Sequence, residues 1–139
     1  MDCTVAFGNK GCTGGNMDNA FQYATGAALC RGPSYPYIGT LSQCRSDCEV
    51  AIPQGGVVGF QMVPPQSEEA LLRSVVQQPV AAGMSAEEEP EIMHYKRGVM
   101  SGICGSKPNH AVVIAGFGTE GGRDYWLIRN SWGSAWGEQ

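Results

Sequence analysis

The chain has 139 residues, enough for one modest domain with a core of its own. Nine basic and 13 acidic residues give a net charge of −4, which argues against nucleic acid or an anionic membrane as the main partner. No apolar run is long enough to span a bilayer.

Six cysteines, at positions 3, 12, 30, 44, 48 and 104, are heavy for a reducing compartment and usual for an oxidising one. A metal site is not expected. There is no Cys-x-x-Cys pair, and the only histidines are His94 and His110. Disulfides are the favoured reading, although spacing alone does not assign them. Met1-Asp2-Cys3 opens neither a signal nor a transit peptide. That mismatch with an oxidising compartment leads us to expect a sequence that begins part-way through a longer protein.

Residues 1–16 read as irregular and rich in glycine. Gly14 and Gly15 could be a turn tied down by disulfides or a ledge that a ligand's backbone approaches closely. Local sequence favours the turn. Met17, Ala20, Phe21, Ala24, Ala27 and Ala28 then recur at helical spacing, with Asn16 placed to cap the start and Asp18 at the positive end of the dipole. The stripe reads as core, and a bridge at Cys30 would pin the helix end.

Residues 31–66 hold five of the eight prolines and show no strong period. Ser34-Tyr35-Pro36-Tyr37 reads as an extended loop, and Cys44 and Cys48 as stapled within this region. Residues 57–63 read as a strand leaving it. Residues 67–76 form a clear short helix: Ser67 caps it, Glu68 and Glu69 occupy its first turn, and Pro79 stops it. Residues 79–84 are a small-residue strand, the glutamates around Pro90 a solvated loop, Ile92 to Tyr95 a short turn or helix, and Gly98 to Met100 the start of a strand leading to Cys104. His94, in a polar setting with no second ligand near it, reads as a surface histidine.

Two apolar runs near the end, 110–118 and 125–130, are joined by Thr119-Glu120-Gly121-Gly122 and read as a β-hairpin. A turn centred on Glu120 and Gly121 pairs residues whose numbers sum to about 240 or 241 and sets His110 opposite Asn130. An amide cannot act as a base at neutral pH, but it can fix the tautomer and orientation of an imidazole. A histidine so held suits the activation of a thiol, and Trp132 or Trp136 over the contact would exclude water. A core hairpin with a satisfied histidine accounts for the pair as well.

Five blocks in order carry a resemblance. They are Gly11-Cys12-Thr13-Gly14-Gly15-Asn16-Met17-Asp18-Asn19-Ala20-Phe21, Ser34-Tyr35-Pro36-Tyr37, Gln77-Gln78-Pro79-Val80, Asn109-His110-Ala111-Val112-Val113-Ile114-Ala115-Gly116-Phe117-Gly118, and Asn130-Ser131-Trp132-Gly133-Ser134-Ala135-Trp136-Gly137. Together they resemble the papain-like cysteine peptidases of cathepsin L type, whose Cys-His-Asn chemistry is a standard example. The resemblance implies a partial papain-like α+β fold: residues 1–60 the remainder of the helical domain, residues 61–139 most of the β-rich, barrel-like domain, truncated at its end.

The resemblance also implies roles. His110 would be the general base and acid, Asn130 its orienter and Trp132 their shield. Gly14 and Gly15 would bind substrate backbone, which revives the ledge. Met17, Gly83, Pro108, Asn109 and Ala111 would line or border the pocket for an apolar side chain two residues before the cut. Asn109 stands where many members have Asp, which should change the charge beside the histidine without removing the base. Cys3 and Cys44 match a family disulfide. Cys30 and Cys48 depart from the simplest pattern and are expected to pair with each other. Cys12 and Cys104 would bond partners outside the chain. The family's Cys-Gly-Ser-Cys-Trp nucleophile segment has no counterpart here, so the 139 residues alone are expected to be inactive.

Implied partners are peptide or protein substrates and inhibitors such as cystatins, with no cofactor and no metal, in a lysosomal, vacuolar or extracellular full-length protein. The alternatives are a non-catalytic relative that binds peptides or inhibitors, and an incomplete gene product.

Overall fold

The computed structural model describes residues 1–86, 90–102 and 105–138. Glu87, Glu88 and Glu89 of the expected acidic loop lie outside the described residues, as does Cys104. The chain divides into two compact units, Met1–Met62 and Val63–Gln139, where the sequence reading divides it after residue 60.

The first unit opens with more order than its glycines suggest. Asp2–Phe7 and Gly11–Thr13 are 3-10 turns, the first ended by Gly8 at φ 97°. Helix α1 spans Met17–Gly26, so Ala27 and Ala28 fall beyond it. Asn16 occupies the N-cap, but its side chain makes no capping bond; its backbone N–H donates instead to Asn9 Oδ1. The helix stripe is less buried than a core reading implies. Only Ala24 is buried, and Phe21, stacked on Phe60 with centroids 5.8 Å apart, stays 41% exposed. Strands β1 (Leu29–Cys30) and β2 (Val50–Ile52) pair antiparallel.

Disulfides join Cys3 to Cys44 and Cys30 to Cys48, so neither Cys44 nor Cys48 is stapled within residues 31–66. Both bonds reach back to the segment before β2. With sequence separations of 41 and 18 they remove chain entropy worth about 3 to 4 kcal/mol each, which matters in a unit with so little buried apolar surface. Residues 57–63 form no strand. A turn at Gly55-Gly56 precedes the run and Gly59 interrupts it, β2 takes the ladder beside β1, and Val58 is left 96% exposed.

A polar knot reinforces the Cys3–Cys44 bridge. The Asp2 carboxylate accepts from the Ser42 hydroxyl at 2.7 Å, the Ser42 N–H at 3.1 Å and the Tyr35 hydroxyl at 2.9 Å. These bonds, Ser42's foremost, hold the Asp2 carboxyl below its usual value of 3.8. A depressed carboxylate pKa stabilises the folded form above the unfolded value and ceases to do so as pH falls through the lower folded value. The thermal midpoint of this unit is therefore expected to drop as pH is lowered below about 4. Asp2→Asn should remove that part of the slope in a circular-dichroism melt series, and an unchanged slope would refute the role.

In the second unit, helix α2 (Glu68–Gln77) starts where Ser67 Oγ accepts from the Ala70 N–H at 3.2 Å and packs its Val75 face on the sheet. The sheet has order β3-β4-β5, all antiparallel: β3 is Val80–Met84, β4 His110–Glu120, β5 Arg123–Arg129. A one-turn helix, α3 (Pro90–Met93), buries Ile92. Val112 and Ile114 of β4 supply the rest of the small core with Ala86. Gly98 to Met100 is not a strand among the described residues.

The hairpin turns one residue later than its pattern predicts. Its corner is Gly121-Gly122, at φ 57° and 78°, because a two-residue hairpin turn of this hand needs positive φ at both positions and Glu120 would be strained there. Paired numbers sum to 243, as in Glu120 with Arg123, and to 242 beyond a bulge between Ile114 and Gly116, as in Val113 with Arg129. The ladder ends at Val113 with Arg129, so His110 and Asn130 lie beyond its last pair and are not the directly opposed strand residues that a sum of about 240 or 241 would make them.

Candidate active site

His110 is the first residue of β4 and pairs with Met84 of β3. Its Nε2 lies 2.8 Å from Asn130 Oδ1. The two side chains meet although the shifted register pairs neither residue with the other. The Ser131 N–H also donates to Asn130 Oδ1, at 2.7 Å. Two donors on one atom identify it as the amide oxygen, and an amide oxygen only accepts. Nε2 therefore carries the imidazole proton, and Nδ1 keeps its lone pair. Asn130 Nδ2 is buried with no hydrogen-bond partner among the described residues.

Trp132 stacks on the imidazole, centroids 4.8 Å apart and planes 28° from parallel. Trp136 meets Trp132 edge-on at 5.4 Å, and Tyr95 lies 5.4 Å from Trp136. This aromatic row is clamped from α3 and the segment that follows it. The Trp136 indole N–H donates to the Ile92 carbonyl at 2.7 Å, the Gly137 N–H to the Tyr95 carbonyl at 3.0 Å, the Gly98 N–H to Glu138 Oε1 at 2.7 Å, and Lys96 Nζ to the Ala135 carbonyl. Burial, with the carboxylates of Glu138 and Glu120, raises the Tyr95 phenol pKa above its usual value, so the ring stays neutral in this setting. A cleft of about 360 Å³ beside the row is lined by Met93, His94, Lys96, Trp132, Ala135 and Trp136. His94 is exposed, on its rim.

The remaining sequence candidates of this unit cluster at the same end of the sheet. Asn109 continues the ladder, its N–H donating to the Met84 carbonyl at 3.0 Å, and its Oδ1 accepts from the Ala86 N–H at 2.9 Å. The amide thus closes the β3 end in place of an acid. Gly83 faces Ala111 across the ladder, and a Cβ on Gly83 would meet Pro108 Cβ at 3.1 Å, so glycine leaves room for that proline. Gly14, Gly15 and Met17 lie in the first unit, Gly14 and Gly15 exposed and Met17 half-buried at the start of α1. Cys12, the free cysteine among the described residues, is exposed there too.

The papain-family cysteine protease model matches residues 1–139, the whole chain. The chain belongs to the papain family. It is 42% identical over 142 residues to cysteine proteinase COT44 of Brassica napus and 38% identical over 141 residues to a cathepsin L-like proteinase of Fasciola hepatica. Those alignments take in 99% and 100% of this chain but 42% of each relative, so it spans about two fifths of the length of the curated relatives it matches. The solved cysteine protease CMS1MS2 of Carica candamarcensis, in complex with E-64, superposes with a TM-score of 0.85 at 34% identity, over 98% of this chain and 60% of that one. The fold is accordingly papain-like and α+β, and here a part of it.

Sequence reasoning passed over two groups in this papain-family chain. The clamp formed by Ile92, Tyr95, Lys96 and Glu138 has no local signal, since its contacts, three to backbone carbonyls and one to the Glu138 carboxylate, join residues some 40 apart in sequence. Asn9 lies in a stretch whose glycines read as irregular.

Proposed function

We propose that this chain supplies the base, its orienter and part of the substrate-binding surface of a thiol-dependent endopeptidase. The observation that carries the reading is the His110 Nε2 to Asn130 Oδ1 contact under the Trp132 ring, which leaves Nδ1 free to take a proton. The attacking thiol comes from outside residues 1–139. Four of the six cysteines are in disulfides, and none of the six stands in a segment like the family's Cys-Gly-Ser-Cys-Trp nucleophile block.

In this reading Nδ1 accepts the thiol proton, and the thiolate attacks the peptide carbonyl carbon. The imidazolium returns the proton to the departing amine as the C–N bond breaks, leaving a thioester. The imidazole then takes a proton from water as the water oxygen attacks the thioester, which releases the acid and restores the thiol pair. Trp132 keeps solvent from competing for Nε2. No metal or organic cofactor enters these steps. Peptide backbone would pair with Gly14 and Gly15, and Gly83, Pro108 and Ala111, small and apolar, suit a hydrophobic side chain. Cysteine-peptidase inhibitors such as cystatins are the further partners this reading implies. Its disulfides suit a vacuolar, lysosomal or extracellular setting.

Residues 1–139 alone are expected to leave a fluorogenic peptide uncut. The longest natural product that contains them should cut it and be silenced by iodoacetamide. Thiol-sensitive cleavage by the 139 residues alone would overturn the assignment of the nucleophile. Peptide binding without cleavage by the longest product would favour a non-catalytic peptide-binding relative.

A further inference from the structure

The two glycines of the first unit's loop are needed for different reasons. Gly14 sits at φ 120°, ψ −178°, a backbone region open only to glycine. Gly15 has no positive φ, so its backbone would accept any residue. Asn9 is what forbids a side chain there. A Cβ on Gly15 would lie 2.5 Å from both Cγ and Oδ1 of Asn9.

The same Asn9 Oδ1 accepts from the Asn16 N–H at 2.8 Å and from Asn19 Nδ2 at 3.1 Å. On the other side of Gly15, the Lys10 N–H donates to the Gly14 carbonyl at 2.8 Å. Peptide planes are rigid and trans, so the C=O and N–H of one plane point opposite ways. Turning the Gly14 carbonyl in to Lys10 turns the Gly15 N–H out. Turning the Asn16 N–H in to Asn9 turns the Gly15 carbonyl out. Neither outward group makes a hydrogen bond among the described residues. Asn9 is anchored in turn by its own N–H on the Thr4 carbonyl, at 3.2 Å.

The geometry points to Asn9 as a positioning residue of the ledge: by holding the Asn16 N–H it aims the Gly15 carbonyl outward, to accept from the backbone N–H of an extended peptide. This rests on the reading of Gly14 and Gly15 as a peptide-binding edge. Asn9 does not touch the peptide. It sets the direction of one acceptor, and its side chain fills the space that a bare α-carbon leaves open.

The test compares a blocked tripeptide, acetyl-Val-Leu-Gly-amide, with its analogue methylated on the leucine nitrogen, by NMR titration of protein carrying isotope-labelled glycine. Methylation removes the one N–H that the Gly15 carbonyl would receive. The native protein should bind the methylated peptide about tenfold more weakly. In Asn9→Ala the ratio should fall below about twofold, because the acceptor is no longer aimed, while Asn9→Asp keeps the acceptor oxygen and should restore the tenfold ratio. A loss of overall stability would weaken both peptides equally and leave the ratio alone. Should Asn9→Ala fail to fold, Gly15→Ala reads the same contact from the other side, and its ratio should also collapse. A full ratio in a folded Asn9→Ala, or in Gly15→Ala if that is the variant used, overturns the proposal. A native protein that binds neither peptide overturns the ledge itself, a result visible before any variant is made.

Discussion

His110→Ala, introduced into the longest natural product that contains residues 1–139, is expected to lower kcat/KM on a peptide substrate by about 10⁴-fold or more, with little change in KM. Asn130 Oδ1 accepts from two donors, so the imidazole is held as the tautomer with its proton on Nε2, and Nδ1 is the only basic atom this arrangement presents. Without it the thiol must ionise unaided near its ordinary pKa of about 8.5, and the leaving amine must depart without an acid. Both losses fall on the transition state, so kcat takes the effect. Rate of thiol alkylation at neutral pH is an independent readout, and it should fall along with kcat. A His110→Ala variant that keeps its melting curve and its activity would remove the central role assigned here.

How far the sequence reaches depends on the kind of interaction. The hairpin and helix α2 are legible because apolar alternation, Ser67 and the glycine pair are local signals, and the family blocks add the papain-like fold. The register is less so. Choosing Glu120-Gly121 over Gly121-Gly122 as the corner slips the ladder, and only the positive φ required at both turn positions decides it. The extra residue of the bulge near Gly116 is invisible in a pattern of two. His110 and Asn130 meet all the same, through side chains that lie past the last ladder pair, Val113 with Arg129.

The first unit shows the opposite limit. Its expected strand at residues 57–63 has the right composition but pairs with no strand among the described residues, and strand formation is decided by the neighbour. The α1 stripe has the period of a core face, yet this unit buries only Ala24 of it. Periodicity tells which face is apolar, not what covers it. Cys3 with Cys44 is legible through the resemblance alone, since spacing permits pairings that contain Cys44 with Cys48, and Cys30 with Cys48 follows only as the pair left over from the family pattern. Asn9 escapes both routes. Its contact with Gly15 depends on turns set by Gly8 and Gly11, at φ 97° and 58°, and no propensity of Asn9 itself records it.

Asn130→Ala should cost about 10²-fold in kcat and leave KM nearly unchanged, because the amide is bonded to the histidine and not aimed at a peptide. Removing it frees the imidazole to rotate and to exchange tautomers, so productive orientation becomes one state among several. Trp132→Ala should cost less, roughly tenfold. The ring stacked 4.8 Å from the imidazole withholds water from the Nε2 bond, and opening it weakens that bond without deleting it. The double variant discriminates between mechanisms. If Trp132 acts through the His110 to Asn130 contact, removing it after Asn130 is gone has little left to weaken, and the double variant should match Asn130→Ala to within about twofold. Independent contributions would instead multiply to about 10³-fold. Trp132→Phe, which keeps a flat ring over the imidazole, should recover most of the tenfold loss, whereas a role in binding substrate through the indole would not be rescued. Single-turnover kinetics on the four variants, with melting curves to exclude unfolding, separates these outcomes. A multiplicative double variant would move Trp132 out of the role of shield and into direct contact with the peptide.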